Sequence, residues 1–230
     1  MARSGWCATA FLGVVGFWIG LWMAGERYPS QYDWRYMTIS SLLYSDRNPD
    51  GYRWAWAGIV LCAMGGLCWT ALLVRDWRRR HAQRLPIGIW ALAVGYACML
   101  CCALPQQALL PIPKVHEMLA LSAFFGICIG IVQLTFQAVE RRCRDGMYRF
   151  PGGPRVFAGL VAGAALLPIV LAVAAPAYVS LAFPELPWVG FEWRERGVPV
   201  YLSFAFWEWI TCMVFSAYTA SLSLAARSAL

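Results

Sequence analysis

The 230 residues are 60% hydrophobic and 13% charged, with a formal net charge of +7 and a mean hydropathy of +0.55. A soluble domain carries about 25% charged residues, so this composition excludes an ordinary water-soluble globular protein and points to a polytopic membrane protein. The excess positive charge sits in two arginine clusters between apolar runs, which reads as a topology signal and argues against a nucleic-acid partner.

In chain order, apolar runs over 6–24, 54–74, 86–104, 115–138, 156–182 and 200–224 each approach the roughly 20 residues a helix needs to cross about 30 Å of hydrocarbon. The first follows Arg3, but it is long and no A-x-A-like site follows it, so it reads as a retained helix and not a cleaved leader. Together the runs predict an all-α fold: one domain over 1–230, a polytopic bundle of six transmembrane helices with an amphipathic external loop between helices 1 and 2.

Basic residues set the expected orientation. Segment 75–85 holds Arg75, Arg78, Arg79, Arg80 and Arg84, and segment 139–155 holds Arg141, Arg142, Arg144, Arg149 and Arg155. The positive-inside rule places both in the cytoplasm, together with both termini, for a multi-pass protein of the cell membrane. The alternating loops are balanced: 25–53 sets four Arg against four acids, and 183–199 sets two Arg against three Glu.

In the first external loop, Trp34, Met37, Ile39, Leu42 and Leu43 interleave with polar residues, a spacing that predicts a short amphipathic helix over 32–43 lying on the membrane surface. Asn48-Pro49-Asp50-Gly51 reads as the turn into the second span. Small-residue pairs four apart, Gly16/Gly20, Gly126/Gly130 and Gly159/Gly163, predict close helix packing. Trp6, Trp22, Trp54, Trp56, Trp188 and Trp193 fall near span ends, where interfacial anchoring accounts for them.

No cysteine lies in a predicted external loop, which excludes an extracytoplasmic disulfide framework, and Cys98-Met-Leu-Cys101-Cys102 reads as small packing residues in an apolar helix. With two histidines in the chain, His81 and His116, a three-histidine zinc site and bis-histidine haem ligation across the bilayer are excluded. There is no Walker loop, dinucleotide fingerprint or nucleophile elbow. No metal or cofactor is expected.

The candidate site grows from FAFWEWI, residues 204–210, where Glu208 interrupts an apolar run beside Trp207. A span starting near 200 puts Glu208 about 12 Å along the helix, and an intramembrane acid costs some 2.5–3.5 kcal/mol unless neighbours satisfy it. The start of the fourth span supplies candidate partners in Lys114, His116 and Glu117 behind Pro113. An imidazole beside a carboxylate titrates near neutrality, so His116 and Glu208 are expected as a recognition or acid–base pair, or as a buried structural hydrogen bond. Gln106 and Gln107 sit at the outer end of helix three, while Asp46, Arg47, Ser40 and Ser41 can close over the site from the loop. The expected ligand-binding set is therefore His116, Glu117, Glu208, Asp46, Arg47, Lys114 and Trp207.

TISSLLYSDRNPDGYRWAWAGIVLCAMGG, from Thr38, resembles the first external loop and second helix of the bacterial membrane family DUF 998. VHEMLALSAFF, from Val115, resembles that family's histidine at the start of a later helix. A more distant similarity runs to Frag/DRAM/Sfk-like six-helix proteins, some of them associated with lipid-anchor remodelling or phospholipid distribution. The matching segments cover about a quarter of the chain, and where the family pattern has an acid after Ile-Ser this chain has Ser41. The resemblance implies six helices and an outer-leaflet pocket, with His116 carried over. Two functions follow as expectations: binding or handling of a lipid-like molecule, with membrane lipids as partners, or a structural or accessory role beside other membrane subunits. No reaction is assigned.

Overall fold

A computed structural model describes residues 2–80, 84–103, 115–144, 153–186 and 192–228. It is 81% helical, and the described residues contain no strand. The long helices are α1 (Ala2–Glu26), α2 (Tyr52–Arg80), α3 (Ile87–Cys102), α4 (Val115–Arg144), α5 (Gly153–Ala182) and α6 (Phe204–Ser228). Four of them carry segments long and apolar enough to cross a membrane: Ala8–Glu26, Tyr52–Arg79, Val115–Arg141 and Arg155–Ala182. The chain is thus an all-helical integral membrane protein. Helix α3, at 16 residues, reaches about 24 Å. In α6, Glu208 and a row of hydroxyl residues (Thr211, Ser216, Thr219) dilute the apolar character.

Side chains are distributed as a lipid solvent dictates. On α5 the inward face is built from Ala158, Ala162, Ala165, Ala172 and Ala175, while Leu160, Leu167, Val170 and Val173 point outward. Water would reverse that pattern; in lipid, large apolar groups gain nothing by burial, and small ones let backbones approach.

The same rule builds two antiparallel hairpins. A Cβ on Gly20 would stand 2.5 Å from the Trp54 carbonyl oxygen and 2.7 Å from the Gly58 Cα, so α1 and α2 are in backbone contact. A Cβ on Gly126 would lie 2.8 Å from the Gly95 Cα, which joins α4 to α3 in the same way. The third small-residue pair behaves differently: Gly159 and Gly163 face open space, with nothing within 4 Å. It is Ala and not Gly that packs α5 inward.

Helix α6 closes the bundle through polar ties. Trp18 Nε1 donates to Ser216 Oγ at 3.0 Å, and the Tyr218 hydroxyl donates to the Val161 carbonyl at 2.6 Å. Cys62, Cys68, Cys98, Cys101, Cys102, Cys128, Cys143 and Cys212 are all free thiols.

The connection 27–51 and segments 183–186 and 192–203 meet over the same end of the bundle and form its cap. The expected amphipathic helix over 32–43 is not formed. Tyr36 and Met37 N–H groups both donate to the Asp33 carbonyl, at 3.0 and 2.8 Å, closing a turn, and Thr38 is extended at φ −69°, ψ 157°. Only one 3₁₀ turn, Ile39–Leu42, follows. The expected Asn48–Gly51 turn is present, and Asn48 is fully buried in it, its Nδ2 donating to the carbonyls of Ala24 (3.2 Å) and Leu42 (3.3 Å). On the other side, the helical turn Glu192–Glu195 ends at Gly197, whose φ of 70° lets the Val198 N–H return to the Trp193 carbonyl at 2.9 Å.

Trp193 is not the interfacial anchor its position suggested. It is 1% exposed and packs with Val179, Leu186 and Val198, with Tyr36 from the first connection against them. The Tyr36 hydroxyl donates to the Val198 carbonyl at 2.8 Å and locks the two connections together. Trp22, Trp54 and Trp56 are exposed as expected, and the Arg27 guanidinium lies 5.3 Å from the Trp54 ring centroid. Trp188 lies outside the described residues.

Candidate functional site

Helix α6 begins later than its apolar run suggested. Pro199 starts a 3₁₀ turn, Val200–Leu202, and Ser203 is extended at φ −76°, ψ 130°, so α-helix starts at Phe204. Glu208 therefore lies one turn into the helix, about 6 Å and not 12 Å from its start. That places its carboxylate directly beneath the cap.

There it accepts a hydrogen bond from the Ile39 N–H, Oε2 to N 3.0 Å. Ile39 is the first residue of the 3₁₀ turn, and its preceding Thr38 makes no side-chain cap. The Thr38 hydroxyl instead bonds those of Ser40 (2.8 Å) and Ser41 (3.0 Å). A carboxylate from a distant helix thus takes the place of the N-cap, satisfying a donor that would otherwise be orphaned. Its second oxygen, Oε1, has no hydrogen-bond partner among the described residues, and the side chain is only partly buried.

An aromatic frame holds the carboxylate in place. The Tyr32 hydroxyl lies 2.7 Å from the Met37 carbonyl and 2.9 Å from that of Thr38, and accepts from Trp209 Nε1 at 3.2 Å. Burial, and then the Glu208 charge, push the Tyr32 phenol well above its ordinary range, so it remains a donor. Trp209 tilts against Trp18 at 5.8 Å, and Phe206 stacks on Trp34 at the same separation. Trp209, and not Trp207, reaches the α1–α2 connection. The Trp207 indole donates to the Tyr201 carbonyl at 2.7 Å, within its own chain entry.

The expected pairing of Glu208 with His116 is not formed. His116 sits at the start of α4 against the end of α3, where its carbonyl oxygen lies 3.8 Å from Cys102 Sγ. Its Nδ1 is buried with no hydrogen-bond partner. The carboxylate is committed to a backbone amide of the α1–α2 connection, and α4 pairs with α3, so the two groups serve different hairpins. Glu117 is exposed beside His116. Lys114, Gln106, Gln107 and His81 lie outside the described residues. Among the described residues no His/Cys/Asp/Glu cluster could hold a metal.

Asp46 and Arg47 are exposed on the cap, and Arg47 covers the Tyr44 ring at 5.0 Å. Both reach Tyr28 electrostatically: burial raises its phenol, Arg47 opposes and Asp46 adds. Tyr28 in turn lines a cleft of about 330 Å³ in the cap, with Ser30, Gln31, Asp33, Arg194 and Glu195 among its walls. Asp33 was not foreseen as a site residue. It is chelated by Arg35, with Oδ1–Nε 2.8 Å and Oδ2–Nη2 2.9 Å, and approached by Arg194 at 3.5 Å. The Arg35 hydrogen bond holds its carboxyl below the usual range.

The arrangement can bind, but among the described residues it holds no assembled nucleophile–base pair: the Ser40 and Ser41 hydroxyls both bond that of Thr38, and the histidine stands on another hairpin. No family model, curated protein or solved structure matches the chain.

Proposed function

We propose that this protein is a six-span bundle of the cell membrane that binds or handles a lipid-like molecule beneath its extracytoplasmic cap. In this reading α3 and α6 span the bilayer with the other four helices. Arginines at the far ends of α2 and α4 face the cytoplasm, as do both termini. The resemblance to the DUF 998 family belongs to the same proposal.

The observation that carries the reading is the half-used carboxylate of Glu208. One oxygen caps the Ile39 amide, while the other is unspent in a partly open position at the level where apolar helix meets polar cap. Intramembrane acids are retained at a cost and mark sites where a polar group is met. Exposed Trp22 and Trp54 with Arg27 ring that same end, the pattern of a headgroup interface.

Lipid extracted from purified wild type and from Glu208→Gln tests it. The amide keeps an acceptor for Ile39 but removes the charge, so retained phospholipid should fall about tenfold, the worth of one charge-assisted contact. Equal retention in a folded variant overturns the reading.

A second reading, an accessory subunit of a larger assembly, is favoured by Gly159 and Gly163, which open a flat strip on α5 that no described helix covers. A companion chain recovered with the wild type and lost on Gly163→Leu would support it.

A further inference from the structure

We infer that the cleft between the α1–α2 connection and the helical turn Glu192–Glu195 receives a zwitterionic phosphate–amine group, as carried by an amine-bearing phospholipid. The inference names the ligand class for the lipid reading and rests on it for bringing such a molecule to the cap.

The cleft presents unspent charge of both signs on adjacent residues. Asp33 is not available to a ligand, since Arg35 occupies both of its oxygens and its side chain is only 10% exposed. Arg194 is therefore a surplus cation. It is 62% exposed and makes one long contact, 3.5 Å from Asp33, which leaves most of its guanidinium donors free for the phosphate fork it geometrically suits. Glu195, next in sequence, has no hydrogen-bond or ion-pair partner among the described residues and lines the same cleft. An ammonium group beside it would complete the charge balance.

Neutral groups complete the wall. Ser30, Gln31 and the Tyr28 phenol add donors and acceptors, and the Tyr28 ring gives a cation an aromatic face. A volume of about 330 Å³ accommodates a phosphoethanolamine group but not a folded acyl chain. The acyl part must lie elsewhere, and Glu208 is reached from the other side of the same segment: Met37 lines the cleft, while its carbonyl oxygen takes Trp209 Nε1 at 3.3 Å on the bundle side. Cleft and carboxylate are thus two faces of one eight-residue stretch, 32–39.

The whole protein in mild detergent is titrated with short-chain phosphatidylethanolamine, short-chain phosphatidylglycerol and free glycerophosphoethanolamine, with bound ligand counted by native mass spectrometry. Wild type should prefer the ethanolamine lipid by about tenfold, one charged contact's worth. Glu195→Gln should erase that preference, and Arg194→Gln should weaken both phospholipids. Equal binding of the two lipids by wild type overturns the inference, as does a preference unchanged in both folded variants. If free glycerophosphoethanolamine binds as tightly as the lipid, the class stands and the source is soluble; if only the lipid binds, the source is the bilayer. Lipid retained without headgroup preference defeats this inference alone, whereas lipid retention indifferent to Glu208→Gln defeats the Glu208 reading alone.

Discussion

The carboxylate of Glu208 and the backbone N–H of Ile39 meet at 3.0 Å across 169 residues of chain. That bond is one of the pins between the cap and the bundle, because Ile39 opens the only 3₁₀ turn in the described part of the α1–α2 connection and nothing local caps it. Glu208→Ala, unlike Glu208→Gln, leaves the amide unpaired at a buried residue. It should cost about 1–3 kcal/mol, read as a lower melting temperature in detergent, with the Gln variant close to wild type.

Tyr32 is the second pin. Tyr32→Phe removes the hydroxyl shared among the Met37 and Thr38 carbonyls and the Trp209 indole. A loss of about 0.5–1.5 kcal/mol is expected, the net worth of a hydrogen bond, because the Met37 carbonyl still accepts from Trp209 Nε1 and the Thr38 carbonyl from the Ser41 N–H. Increased protease cleavage confined to the 27–51 connection would check it; cleavage elsewhere first would speak against it.

Close backbone approach predicts opposite outcomes for two glycine pairs. Gly20→Leu must drive apart α1 and α2, since even a Cβ would stand 2.5 Å from the Trp54 carbonyl oxygen, and overpacking of this kind costs typically 1–3 kcal/mol or more. Gly159→Leu meets open space and should leave the melting temperature of the isolated protein unchanged. Thermal unfolding of the two variants side by side decides the matter.

Acid should loosen the cap from its outer side. The Arg35 fork lowers the Asp33 pKa relative to the unfolded chain, so its stabilisation is full above the ordinary carboxylate value of about 3.9 and is lost as pH falls through the lower folded value. Amide protection across 33–37, measured against the intrinsic rate at each pH, should therefore hold at pH 5 and fall only below the ordinary carboxylate range. In Asp33→Asn that protection should be low at every pH.

The helices were legible because apolar runs of about 20 residues have few alternatives in lipid. The Gly20–Gly58 and Gly95–Gly126 contacts followed from small-residue spacing on α1 and α4, but the same spacing at Gly159 and Gly163 faces outward, since a spacing does not say which side of a helix meets a neighbour. Glu208 was legible as a carboxylate in need of a partner. Its partner was not, because a main-chain N–H has no letter in the sequence, and the histidine that did have one stands on another hairpin. The cap was the least legible part. Its order comes from Tyr32, Asp33, Tyr36 and Asn48 bonding to main-chain groups, contacts with no periodicity to read. The extended Ser203 moved Glu208 up to meet them.

An experimental map of the protein in lipid nanodiscs tests the central claim most directly. Glu208 Oε2 should lie within hydrogen-bond range of the Ile39 N–H, with ordered density from a lipid polar group or its bridging water at Oε1. Glu208 turned toward acyl tails, or the cap lifted away from α6 with no polar density at the carboxylate, would contradict it.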